Sequence, residues 1–286
     1  MNQYSDDRKK WIDTTREDFL KIAQKYQDDI VKVIKDKYIR LLDLKDGNIV
    51  FSAKNMATLS MMDAQLKKVA DLRGDELLKW FYDQVIKNAE LNKGYFTEMV
   101  GKTGVEKALN AALKQVLMSL GYDGERFIKD SGLYELSRVS DPIRKIKAET
   151  IKAISAGVSW ANYAESITNL VQKSGVIENH FRTNAYDTFQ QVDRKIGFNM
   201  ATGLGMKYAK FSEGLMTTSR SFCKKNVGKV FTFDEIEAWK DQEWDGKNEN
   251  YDPVTDVGGY NCTHTLDFIT ERLAFILRPE LKKISV

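Results

Sequence analysis

Between residues 8 and 45, apolar side chains return at spacings of three, four and seven: Ile12, Phe19, Ile22, Tyr26, Ile30, Val33, Tyr38 and Leu41. This periodicity predicts one long amphipathic helix. Charges of both signs fill its other faces, and the apolar seam is narrow. Such a seam suits packing on one or two neighbouring helices, from this chain or from a second subunit.

Asp46-Gly47-Asn48 breaks the pattern, and Ile49-Val50-Phe51 reads as a short extended piece. Ser52 is placed to cap a second helix that runs to about Leu72 on Met56, Leu59, Met62, Leu66 and Val69. A third helix is predicted from Asp75 to about Met99, a fourth from Val105 to Leu120. Another follows Pro142, which suits a first helical turn, and carries Ile143, Ile146, Ile151 and Ile154. Ser159 caps a helix from Trp160 to Val171. The last predicted helix runs from Val176 to about Ala201, with Phe181, Ala185, Phe189, Val192, Ile196 and Met200 on one face.

After Gly203-Leu204-Gly205 the pattern changes. Glycines multiply, and alternation with period two appears at Lys207–Phe211 and Lys229–Phe233. The fold class is therefore read as mainly α, a long-helix region over 1–203 followed by a small α+β domain over 204–286. The predicted boundary lies near residue 204.

Composition adds little to that division. With 286 residues, 42% hydrophobic and 30% charged, the chain is long enough for one large or two ordinary folded domains. Three prolines permit long helices. No apolar run reaches the length of a membrane span, and the first residues do not read as a secretory signal. Two cysteines make no disulfide scaffold, so a cytoplasmic setting is expected. The overall charge of +3 points to no nucleic-acid partner.

The local charge is less even. From Gly205 to Val230 stand six bases, Lys207, Lys210, Arg220, Lys224, Lys225 and Lys229, against the one acid Glu213. From Phe231 to Gly258 stand nine acids against two lysines. A block of net +5 thus precedes one of net −7. Mutual neutralisation across the fold is one reading; a basic face that touches nucleic acid is the other.

Candidate chemistry gathers near the end of the chain. Cys223, Cys262 and His264 are the soft ligands there. Three alternatives stand open for them: two reduced, partly buried thiols, a disulfide, or an open zinc site of three protein ligands. No catalytic residue is assigned, since there is no Ser-His-Asp frame, no phosphate-binding glycine loop and no local cysteine-nucleophile signature. Asp234, Glu235, Glu237, Asp241, Glu243 and Asp245 read as a solvated helix face, with Thr232-Phe233-Asp234-Glu235 as a capping box. His180, near Arg182, reads as a surface or packing residue.

The order Arg220-x-x-Cys223, Gly228-Lys229, then Gly259-Tyr260-Asn261-Cys262-x-His264 resembles the C-terminal signature of phage minor head proteins, the Mu protein F-like or head morphogenesis family. The segment His180-Phe181-Arg182-Thr183-Asn184-Ala185-Tyr186 resembles the helix that precedes that signature. The likeness covers roughly residues 175–270. Thr263 stands where many members carry arginine. The resemblance implies a structural protein of a tailed-phage head, made in the infected bacterial cytoplasm and carried in the virion. It implies a portal or major capsid protein as partner, a docking role for the helical region, contact with packaged DNA, and no established catalysis. The alternative class is an enzyme, a metal-dependent nuclease or toxin-like effector on the C-terminal domain.

Overall fold

The computed structural model describes residues 3–185, 187–212 and 214–283. The chain is mainly helical, with long N-terminal helices and a small C-terminal region that contains a three-stranded antiparallel sheet. Helix α1 (Gln3–Lys32) continues through a π-helical segment (Val33–Tyr38) and a 3₁₀ turn (Ile39–Leu41). A short hairpin, β1 (Leu44–Lys45) and β2 (Asn48–Ile49), turns at Asp46-Gly47. Then come α2 (Ala53–Val100), α3 (Val105–Ser119), α4 (Gly132–Arg138), α5 (Ser140–Ala156), α6 (Trp160–Thr168), α7 (Val176–Ala185) and α8 (Thr188–Gly203). The remainder is β3 (Tyr208–Phe211), α9 (Ser221–Asn226), β4 (Val230–Thr232), α10 (Phe233–Glu237), β5 (Leu266–Ile269) and α11 (Glu271–Leu277). Among the described residues no helix is long and apolar enough to cross a membrane.

Two compact units share this chain, and neither is continuous in sequence. One holds residues 1–15, 83–119 and 187–286, the other 16–82 and 120–186. The compositional change near residue 204 falls inside the first of them. Periodicity locates helices well but cannot say which helices pack together.

In the unit of residues 16–82 and 120–186, the predicted seam is core as far as Ile30. Phe19, Tyr26 and Ile30 are buried with Leu59, Met62, Leu66 and Ala70 of α2 and Phe181 of α7; beyond them the π-helical segment shifts the phase, so that Ile34 is buried in place of the expected Val33, and Leu41 is exposed. Phe19 and Phe181 meet edge to face with ring centroids 5.5 Å apart. The Tyr26 hydroxyl donates to the Ala70 carbonyl at 3.1 Å, so its polar end is satisfied inside the core. Ser52 caps α2 by accepting from the Asn55 amide at 3.1 Å, and Ser159 caps α6 in the same way from Asn162 at 3.2 Å.

The expected break near Leu72–Asp75 does not occur; α2 runs unbroken for 48 residues. Gly74 is used for close approach instead. A methyl group there would lie 2.5 Å from Arg138 Nη1 and 3.0 Å from the Ser137 carbonyl. Arg138 crosses at that point to donate to the Asp71 carbonyl at 2.7 Å and to Asp75 Oδ1 at 2.6 Å. The one helix expected over residues 176–201 is two, α7 and α8, with Asp187 in a turn before α8; Tyr186 lies outside the described residues.

The unit of residues 1–15, 83–119 and 187–286 is built on α8, which packs along α3, and on the sheet of order β4-β3-β5. Strand β3 is central, with Tyr208 opposite Thr232 on one side and Ile269 on the other. Both faces are covered. Tyr208, Val230 and Ile269 pack with Ala274 and Leu281, while the alternate residues Phe211 and Phe268 join aromatic clusters. Phe268 meets Phe96, Phe198 and Phe233.

A buried ion pair sits among these helices. Arg8 donates to both carboxylate oxygens of Asp193, Nε to Oδ1 at 2.9 Å and Nη2 to Oδ2 at 2.8 Å. Asn88 adds a bond to Oδ1 at 2.9 Å and Asn92 another at 3.3 Å. Burial alone raises the pKa of a carboxyl. Here Arg8 and the two amides more than offset that effect, and Asp193 is held below the usual carboxylate range.

Candidate functional site

The site forms because one strand has two neighbours. From β3 the chain passes through a loop into α9, and β5 lies beside β3, so the residues before β5 return to the same end of the ladder. Two bonds fix the return: the Ser212 amide donates to the Thr265 carbonyl at 2.9 Å, and the Thr265 amide to Ser212 Oγ at 2.8 Å. Two more hold the end of α9, Gly228 amide to Phe211 carbonyl at 3.0 Å and Phe211 amide to Lys229 carbonyl at 2.9 Å.

Cys223 on α9 and Cys262 and His264 on the loop before β5 thereby meet. Their ligand atoms lie within 4.8 Å of one another. Cys262 Sγ is 3.6 Å from His264 Nδ1, and both cysteines are free thiols. The three residues are only 2%, 4% and 4% exposed, respectively. Among the described residues no other group of three soft or acidic ligands is placed to share a cation. His180 lies on α7, in the other unit, where its ring meets the Leu136 carbonyl at 3.2 Å.

Aromatic rings wall the cluster. Phe211 packs on the His264 ring at 5.1 Å between centroids, and Phe222 stacks on Trp244 at 4.0 Å. Trp244 Nε1 donates to the Gly258 carbonyl at 3.1 Å, and the Tyr251 hydroxyl to the Val257 carbonyl at 2.5 Å. Gly258 has no room for a side chain: a methyl group would lie 2.5 Å from Cys223 Sγ and 2.8 Å from Cys262 Sγ. Gly259, at φ +97°, presses against the Gly246 carbonyl where a Cβ would collide.

Beneath the ligand loop lies Arg194 of α8, itself buried. It donates to the carbonyls of Cys262 at 2.5 Å, His264 at 2.5 Å and Thr255 at 2.5 Å, and to Gln190 Oε1 at 3.4 Å. None of these acceptors is a carboxylate. Burial therefore lowers the Arg194 pKa, against the opposing pull of Cys262, Asp193, Asp187 and Asp256. Asp187, one turn before Gln191 on the same side of the chain, accepts from the Asn261 amide at 3.2 Å.

The two sulfurs behave as a pair. A hydrogen bond with Cys223 holds Cys262 below the ordinary thiol range against the opposing effect of burial, helped by His264 and Arg194. The same bond, with burial, pushes Cys223 up.

The basic residues are differently placed. Lys207, Lys224, Lys225 and Lys229 are exposed, and Lys210 is half-buried on β3. Arg220 is a strut: it donates to the Tyr260 carbonyl at 2.5 Å and packs against Gly246, tying the start of α9 to the acidic segment. The acidic segment has internal uses as well. Thr232 and Glu235 form the expected capping box, and the Glu235 carboxylate also accepts two hydrogen bonds from Arg278, at 2.6 and 2.7 Å. Asp252 and Asp256 close their own turn through backbone amides.

Sequence reasoning did not single out Arg194 or Trp244, whereas Gly258-Gly259 before Tyr260 reads from the sequence as a place of positive φ or close backbone approach, and both are found there. Arg194 stands in Asp193-Arg194-Lys195, which reads as a solvated helix face, and only the fold shows that two of the three face inward. In comparisons with known proteins, no family model, no curated protein and no solved structure matches this chain.

Proposed function

We propose that this chain is a minor head protein of a tailed bacteriophage, a structural component that docks on the portal or capsid. One observation carries the reading. The residues of the head-protein resemblance, Arg220, Cys223, Gly259, Cys262 and His264, all serve a single closed junction between α9 and the loop before β5. A motif used to close a fold, with its sulfurs and imidazole out of reach of a substrate, fits a structural part better than an active site. The acids that a nuclease would need are in part committed to the α10 cap and to Arg278. No specific observation favours the enzyme reading.

The exposed lysines Lys207, Lys224, Lys225 and Lys229 are offered as the surface for packaged DNA. The narrow apolar seam of α1 is used within its own units, so docking falls to surfaces outside that seam. Mass spectrometry of purified virions from a host that carries this gene tests the proposal. Peptides of this chain in DNA-filled heads, at a few copies for each portal, are expected. Their absence from heads and from portal complexes, or DNA cleavage by the purified chain, would overturn it.

A further inference from the structure

We propose that Cys223, Cys262 and His264 bind one zinc ion, with water in the fourth position, and that this ion fastens α9 to the loop before β5. The inference does not depend on the head-protein reading. Its first support is distance. With zinc–sulfur bonds of about 2.3 Å and zinc–nitrogen bonds of about 2.0–2.1 Å, a tetrahedral ion sets sulfur and nitrogen roughly 3.6 Å apart. Cys262 Sγ and His264 Nδ1 are 3.6 Å apart, and the third ligand atom lies within 4.8 Å of both.

The second support is chemical type. Two sulfurs and an imidazole, with no carboxylate in the group, select a soft or borderline ion such as zinc over magnesium or calcium. The third is rigidity. Arg194 holds the carbonyls of both Cys262 and His264, and Gly258 leaves room for the sulfurs alone, so the ligand loop is ordered before any ion arrives.

A disulfide is the competing use of the same two sulfurs, and the experiment separates them. The full chain is purified under anaerobic conditions without a metal-chelating tag, and its metal content and free thiols are measured. It is then stripped with a chelator, checked for fold by circular dichroism, and titrated with zinc and with cobalt. About one zinc per chain is expected, bound with Kd below about 1 µM. Cobalt should give the visible bands of a tetrahedral site and a thiolate charge-transfer band. Cys262→Ser and His264→Gln should each weaken binding at least tenfold. Where a variant fails to fold, the titration of the stripped wild type decides alone. If stripped, folded protein takes up neither ion, or if peptide mapping finds a Cys223–Cys262 disulfide in the anaerobic sample, the proposal fails.

Discussion

Asp193 and Arg194 are adjacent on α8 and both are buried, yet they organise unlike centres. Asp193 is closed by charge. Arg8 meets it with two bonds, Asn88 and Asn92 add two more, and the helices that supply them are long and regular. Arg194 is closed by backbone. It gathers carbonyls from Thr255, Cys262 and His264 and so shapes a loop that has no regular structure of its own. The first centre joins helices that would pack in any case. The second replaces the ladder that a loop lacks, and it holds reactive side chains in place while doing so. A buried charge with a complete set of partners is a fixture of the core; a buried charge spent on carbonyls is a fixture of a site.

This contrast breaks most visibly at Asp193. Asp193→Ala leaves Arg8 buried without its counter-ion and is expected to destabilise the chain by about 3–5 kcal/mol in urea unfolding. Adding Arg8→Met should recover much of that loss, because the stranded charge is then gone. The pH dependence has a definite sign. Asp193 titrates below its unfolded value, so its contribution is fully present above about pH 4 and fades as pH falls further toward its folded value. Unfolding midpoints measured from pH 6 downward should show that slope in the wild type and a shallower one in Asp193→Asn.

Arg194→Met comes next. It removes the donors that three buried carbonyls rely on, and a loss of about 2–3 kcal/mol is expected. It should also speed thiol modification of Cys223 and Cys262 in the folded protein, which Asp193→Asn should not. Equal thiol reactivity in the two variants would erase the distinction between the centres. Gly258→Ala is predicted to lose about 1–3 kcal/mol through overpacking against both sulfurs. The smallest effect belongs to Glu235→Gln. Its pair with Arg278 is partly exposed, so under about 1 kcal/mol is expected from the same unfolding measurement.

How much of this was legible in the chain depends on the range of the interaction. The α1 seam as far as Ile30, the caps at Ser52 and Ser159, the capping box at Thr232–Glu235 and strands β3 and β4 are local patterns, and they read correctly. Gly74 misled, because a glycine that admits Arg138 looks the same in sequence as one that ends a helix. Strand β5 was missed: Leu266–Ile269 is too short to announce itself without β3 beside it. The meeting of Cys223 with Cys262 and His264 was suspected from residue type alone. What holds them most directly, Arg194, acts across more than 60 residues and leaves no local pattern, while Gly258-Gly259 is legible as a close backbone approach.

The most direct measurement is thermal unfolding of the full chain with and without a zinc chelator, followed by near-ultraviolet circular dichroism, where the stacked Phe222 and Trp244 report on the junction. Chelation is expected to lower the wild-type Tm by roughly 4 °C or more and to leave His264→Gln unmoved. Superimposable wild-type curves with and without chelator would contradict it.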